Sequence, residues 1–263
     1  MSKPVIKGWF SSSRYFQNPN RTPVNFSQHT SQFKPVSTST SYSIVNEPPV
    51  YDQGVYGSCV ANAVCGALSI VQSVEGNTPT LLSRMFLYYL SRLRYGTPQE
   101  DCGSDSGTMI DQVMEFGVCR ESTWDYTAQN FPLNPSMESY TEAFSNRPTA
   151  WLRIDASGSQ LLDQIESAVR SNHPVIFGTP VDDAIMTYQK GQILSTPSGN
   201  IIGGHEMVVV GVDYSSGSRA WKIRNSWGSE YGDEGHLLIN DSWMSWNQVE
   251  GLNILTNIPA FIF

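Results

Sequence analysis

From Cys59 onward, small and apolar residues return at helical spacing. Ala61, Val64, Cys65 and Leu68 share one face, so the pattern predicts a helix over 59–74. A second helix is predicted over 81–95, with Leu82, Met85, Phe86, Tyr89 and Leu93 as its buried stripe. A third spans 108–117 and stops at Gly117, and an amphipathic fourth spans 159–171. The period then changes. The runs at 174–181, 206–214, 220–227 and 235–240 are rich in β-branched and aromatic residues and read as strands. A helical part over about 47–145, followed by an antiparallel β part over 146–263, predicts an α+β fold of two lobes with a cleft between them.

The first 46 residues fit neither pattern. They are rich in Ser, Thr, Asn and Pro, with "STSTSYS" at 37–43, and read as an extended arm or linker. Charge sets the arm apart as well. Residues 1–45 hold Lys3, Lys7, Arg14, Arg21 and Lys34 and no acid, while the rest of the chain holds 11 basic and 24 acidic side chains. A basic arm beside an acidic body suggests docking into the cleft, as an intramolecular inhibitor or pro-segment; a targeting segment is the other reading. The net charge of −8 argues against nucleic acid as a partner. No uncharged apolar run reaches about 18 residues, so no membrane span is expected. The N-terminus lacks the roughly 7–15-residue apolar core of a secretory signal, which favours a reducing compartment, cytoplasm or virion.

Four cysteines, at 59, 65, 102 and 119, show no zinc-type spacing. Cys59 differs from the others in its setting. Gly54 and Gly57 allow a tight turn ahead of it, and a helix starts at it, so peptide N–H groups and the helix dipole favour a thiolate there. A buried, inert cysteine is the plainer alternative. His205 follows Gly203 and Gly204, which leave room for a substrate beside the ring. Asn225 ends the next strand and can hold one nitrogen of His205, leaving the other for Cys59. Trp227 can cover that bond or simply fill a core. Gln53 can join the Cys59 N–H as a second oxyanion donor or remain a solvated turn residue. His29, His173 and His236 have no ligand spacing and read as structural or exposed. No metal site, phosphate loop or cofactor fingerprint is present, so no metal and no cofactor are expected.

Together "QGVYGSC", "GGHEMVVVGV" and "RNSWGSEYGDEG" resemble the glutamine–cysteine, histidine and asparagine motifs of papain-like cysteine proteases. His205 and Asn225 fall 146 and 166 residues after Cys59, and the resemblance covers about 47–240. It implies a papain-like fold in which Cys59 and His205 face each other across the cleft, with Asn225 as orienter, Gln53 as oxyanion donor and Trp227 as shield. It implies a cysteine peptidase acting on peptide or protein through a thioester. An acyltransferase or deamidase acting on a partner protein, and an inactive cleft-binding relative, are the alternatives. Tyr56 stands where the family usually has a disulfide cysteine, Val60 where an aromatic commonly follows the nucleophile, and Tyr231 where a tryptophan is usual. "VYDQG", "SRMFLYY" and "FGVCRE" are more similar to the compact microbial and viral branch than to lysosomal enzymes. For the substrate, the resemblance points to Gly103 and Ser104 as the backbone edge, or to Ser106 and Gly107 if a gap intervenes. It also puts Gly204, Glu206 and Trp227 along the cleft. Glu206 would favour a basic or polar side chain two residues before the cut, or else turn to solvent.

Overall fold

Small side chains let helix α1 (Cys59–Val74) run through the middle of the molecule, buried along nearly its whole length. The computed structural model describes residues 8–11, 23–29, 33–34, 36, 39–78 and 80–256. Helix α1 packs on α2 (Arg84–Arg94) and α3 (Ser106–Phe116) on the helical side. It also packs against three strands of the β side. At Gly66 the missing side chain makes room for Arg224, whose Nε would lie 3.4 Å from a Cβ there. Arg224 in turn donates to the Pro48 and Pro49 carbonyls, pinning the chain that leads into the cysteine loop.

Caps decide where the predicted helices begin. The second starts at Arg84 rather than 81, because Ser83 Oγ accepts from the Phe86 N–H at 3.1 Å and Leu82 is drawn into a bridge with Arg120. The third starts two residues earlier than predicted, since Asp105 caps the Thr108 N–H at 2.8 Å. A short α4 (Met137–Phe144), capped by Ser136, was not foreseen; it is too brief and too exposed to show a clear stripe. Helix α5 (Gly158–Arg170) matches the amphipathic segment, and a single turn α6 (Asp241–Met244) follows the strands.

Among the described residues nine strands form one sheet. They are β1 (Val24–Asn25), β2 (Tyr42–Ser43), β3 (Ala150–Arg153), β4 (Val175–Asp182), β5 (Ile193–Leu194), β6 (Ile201–Asp213), β7 (Ala220–Arg224), β8 (His236–Asn240) and β9 (Glu250–Thr256). The order is β1-β3-β9-β4-β6-β7-β8-β5, with β2 also on β6. Pairing is antiparallel except for β1 on β3 and β5 on β8. Two boundaries differ from expectation in ways that shape the site. Strand β6 starts at Ile201, so His205 sits inside a strand, opposite Thr179 of β4. Strand β7 stops at Arg224, which frees 225–227 to leave the sheet.

The described parts of the arm are fastened to the body rather than loose. Val24 and Asn25 extend the sheet edge, Phe26 and Phe33 are buried with ring centroids 4.3 Å apart, and Tyr42 and Ser43 pair with β6. Residues 8–11 lie elsewhere, in the cleft. Residues 1–7, 12–22, 30–32, 35 and 37–38, with the first two residues of "STSTSYS" and four of the five arm cations, lie outside the described residues.

Candidate active site

Cys59 is the first residue of α1. Its N-cap, Ser58, makes no side-chain capping bond; its hydroxyl is engaged instead with Tyr126 Oη. The sulfur therefore meets a helix start whose N–H groups are not taken by a cap. Burial pushes the Cys59 thiol far up, while N–H groups of Glu206, Val60 and Cys59 itself pull the other way. The loop ahead of it is stiff. Asp101 accepts the Gly57 N–H at 3.0 Å, and Arg84 donates to the Asp52 carbonyl, to Asn62 and to Glu121. Arg84 also lies over the rings of Tyr126 and Tyr51.

On the β side, His205 Nε2 and Asn225 Oδ1 are 2.7 Å apart. With the oxygen as acceptor, the imidazole proton is held on Nε2 and Nδ1 is left as a base. That Nδ1 is buried and has no hydrogen-bond partner among the described residues. Trp227 stacks on the ring, centroids 4.9 Å apart and planes 28° apart, and Tyr231 meets Trp227 edge-on. Burial lowers the His205 pKa to about 4, against the opposing bond to Asn225. The two motifs are tied directly to each other. Gln53 N–H donates to the Ser226 carbonyl at 2.8 Å, Gly228 N–H to Tyr51 at 2.9 Å, and Ser226 Oγ to Gln53 Oε1 at 2.6 Å. Gln53 Nε2 donates to the Tyr56 carbonyl at 3.0 Å.

The cleft is filled by the chain's own N-terminal segment. Gly8 lies on the sulfur: a Cβ there would be 2.6 Å from Cys59 Sγ and 2.8 Å from the Gly57 oxygen. Ser104 N–H donates to the Gly8 carbonyl at 2.7 Å, and Phe10 N–H donates to the Ser104 carbonyl at 3.2 Å. Between them Trp9 fills a side pocket over Gly178 and Gly204. Ser11 Oγ bonds the Glu250 carboxylate.

The sequence-predicted residues fall as follows. His205 meets Asn225 and Trp227 directly, Gln53 is bonded to Ser226 beside them, and Cys59 lies against the Glu206 backbone. Ser104 carries the backbone edge, whereas the Gly103 N–H is turned inward to Tyr88 Oη at 3.1 Å. The alternative pair, Ser106 and Gly107, opens α3; Ser106 meets the segment through its hydroxyl, which accepts from Trp9 Nε1 at 3.4 Å, rather than through its backbone. Gly204 lies under the Trp9 ring. Glu206 is not at the solvent surface; it is buried and accepts from Ser106 Oγ at 2.7 Å. Among the described residues no three of His, Cys, Asp and Glu are grouped to hold a metal, and all four cysteines are free.

The family model for papain family cysteine protease matches residues 38–252. The chain belongs to the papain family of cysteine proteases. A peptidase C1-like protein of Acanthamoeba polyphaga mimivirus is 32% identical over 195 residues, 71% of this chain and 62% of its own length. Cathepsin L 1 of Paramecium tetraurelia is 27% identical over 225 residues, 84% of this chain and 65% of its own. The chain thus spans somewhat under two thirds of these relatives. Among solved structures, xylellain, a cysteine protease from Xylella fastidiosa, superposes with a TM-score of 0.76 at 23% identity, covering 98% of this chain and 99% of the other. Digestive procathepsin L 3 of Tenebrio molitor gives 0.70 at 20% identity, covering 96% and 76%. These establish the α+β two-lobed papain fold.

Sequence reasoning missed Gly8 and Trp9, and the supports Asp101 and Arg84. Nothing in the local pattern marks the first two, because their partners, from Gly57 to Gly204, are all distant in the chain. Arg84 falls inside a predicted helix as an ordinary charged residue, and only its burial reveals its work.

Proposed function

We propose that this papain-family chain is a cysteine peptidase whose cleft is held shut by its own residues 8–11. The observation that carries the reading is the 2.7 Å His205–Asn225 bond under Trp227, with Nδ1 unpartnered and the Cys59 sulfur beside Glu206, the residue next to His205.

In the open enzyme Cys59 passes its proton to His205 Nδ1, and the thiolate attacks the peptide carbonyl carbon. The Cys59 N–H and Gln53 Nε2 hold the oxyanion, with Ser226 and Tyr56 fixing the Gln53 amide between them. His205 then gives its proton to the leaving amine. Water, deprotonated by the same nitrogen, hydrolyses the thioester and restores the thiol. Asn225 keeps the ring turned for both transfers.

The closed state is electrostatically silent. Burial raises the thiol and lowers the imidazole to about 4, so both are neutral at pH 7. Lifting the segment returns water to the site, lowers the first pKa and raises the second, and lets the ion pair form. The open enzyme accordingly has a bell-shaped pH–rate profile. Replacing Cys59 by Ala abolishes both hydrolysis and labelling by an epoxide thiol probe. Retained hydrolysis in Cys59→Ala, or products that mass spectrometry finds uncleaved, overturns the reading.

A further inference from the structure

One residue makes the backbone edge on which the N-terminal segment lies. Ser104 gives its N–H to the Gly8 carbonyl at 2.7 Å and takes the Phe10 N–H on its own carbonyl at 3.2 Å. The residues on either side turn their N–H groups away from the segment. Gly103 N–H donates to Tyr88 Oη at 3.1 Å, and Asp105 N–H donates to Tyr95 Oη at 3.2 Å. Each hydroxyl then donates to a carboxylate, Tyr88 to Asp101 Oδ1 and Tyr95 to Asp105 Oδ2. Both tyrosines come from α2, Tyr88 from inside the helix and Tyr95 from its C-cap, two turns apart and so on one face.

A phenol suits this place because one oxygen accepts from the peptide and donates onward. Burial, and after it the Asp101 and Asp105 carboxylates, hold both phenols well above their ordinary range, so both keep the proton they donate. The carboxylates anchor the edge to the rest of the site. Asp101 accepts the Gly57 N–H, two residues before Cys59, and Asp105 caps α3 through the Thr108 N–H. A run of hydrogen bonds therefore leads from Gly103 through Tyr88 and Asp101 to the cysteine loop.

We propose that Tyr88 and Tyr95 are positioning residues for a chain bound in the cleft. Their hydroxyls fix the peptide groups on both sides of Ser104, so that Ser104 alone faces the cleft with its N–H and C=O together. As a statement about substrates this rests on the peptidase reading. A buried peptide N–H without a partner is costly, so loss of either hydroxyl sends the neighbouring peptide group toward another acceptor, and Ser104 turns with it. The partners of the two hydroxyls are the edge and its anchors, not Cys59 or His205. The effect therefore falls on binding along the edge and not on the chemical step.

Full-length chains carrying Tyr88→Phe or Tyr95→Phe test this by deleting one oxygen each. Both rings stay, including that of Tyr95 against Phe10, centroids 5.6 Å apart. The segment's hold on the edge is read as the rate at which iodoacetamide alkylates Cys59, counted by mass spectrometry. Each variant is alkylated about tenfold faster than wild type. The control is Tyr140→Phe on α4, whose hydroxyl donates to Asn134, and it labels at the wild-type rate. In chains that also carry Gly8→Ala, each variant raises KM for a peptide about tenfold and leaves kcat within about twofold. Wild-type labelling in either variant, equal acceleration by Tyr140→Phe, or a kcat that falls as far as KM rises overturns the proposal. Should a variant not fold by circular dichroism, amide hydrogen exchange in the wild-type chain decides. Ser104 N–H, bonded to the segment, then exchanges faster than the N–H groups of Gly103 and Asp105; equal rates or the reverse order overturn the assignment. A chain that labels in the expected pattern yet hydrolyses no peptide keeps the positioning roles and loses only the peptidase reading.

Discussion

Asn225 acts on His205 through one oxygen, which also accepts the Ser226 N–H at 2.8 Å. That second bond holds the amide so that its oxygen, not its nitrogen, faces the ring. Under the proposed mechanism the ring is still present in Asn225→Ala but is free to turn. A bound substrate is held elsewhere, at Ser104 and the Trp9 pocket. Asn225→Ala should therefore lower kcat about 10²-fold, the low end of what a positioned acid–base group contributes, and leave KM nearly unchanged. Steady-state kinetics on an opened enzyme measures the split; an equal rise in KM would assign Asn225 to binding instead. The four site motifs were legible at this scale because each is a short string of distinctive residues. The burial of Glu206 was not. Alternation along a strand says which face a residue takes, not what covers it.

At the scale of elements, the cysteine loop, the start of α1 and the turn after β7 form one unit, laced by the bonds between 51–53 and 226–228. The segment 8–11 is a separate strip, held at Ser104 and Glu250. Its seating depends on the absence of a side chain at position 8, where a Cβ would meet the sulfur and the Gly57 backbone at well under contact distance. Gly8→Ala should displace the segment, because the Gly57 backbone is held by Asp101 and cannot retreat. The expected outcome is faster alkylation of Cys59 and faster peptide turnover in the same variant, roughly tenfold or more for the loss of one close-packed contact. Unchanged alkylation would mean that the segment does not cover the thiol in solution. Helices α1, α2, α3 and α5 were readable from apolar residues at helical spacing, even though α1 is buried on nearly every side. Strands β3 and β9 were not, because β3 has only four residues and β9 is buried at five consecutive positions, so neither shows a clear alternation.

For the whole molecule, a single hydrophobic cluster runs from Phe26 and Phe33 through the sheet and α1 to the helical side. The arm is thus divided in its physics. Its later part is core, and its residues 8–11 lie over Cys59, Gly178 and Gly204. Phe26 is fully buried, so Phe26→Ala should cost about 3–5 kcal/mol of stability, read as a lower midpoint in chemical denaturation. If Phe26→Ala unfolds at the wild-type midpoint, the arm's later part contributes nothing to the core. The corollary is that removal of the entire arm tests folding and inhibition together, whereas changes at Gly8 or Trp9 test inhibition separately.

The order of residues alone determined the helical and β parts, the cysteine at a helix start, the histidine in a strand-like run and the asparagine at the end of the next. Those features rest on local periodicity, turn chemistry and short motifs, which a linear string carries in full. Only the tertiary structure decided that Gly8 lies on the sulfur, that Trp9 stands over Gly178 and Gly204, and that burial disfavours the charged forms of the thiol and the imidazole. Each of these depends on which distant segment excludes water from a given atom, and solvent exclusion belongs to the packed chain rather than to any stretch of it.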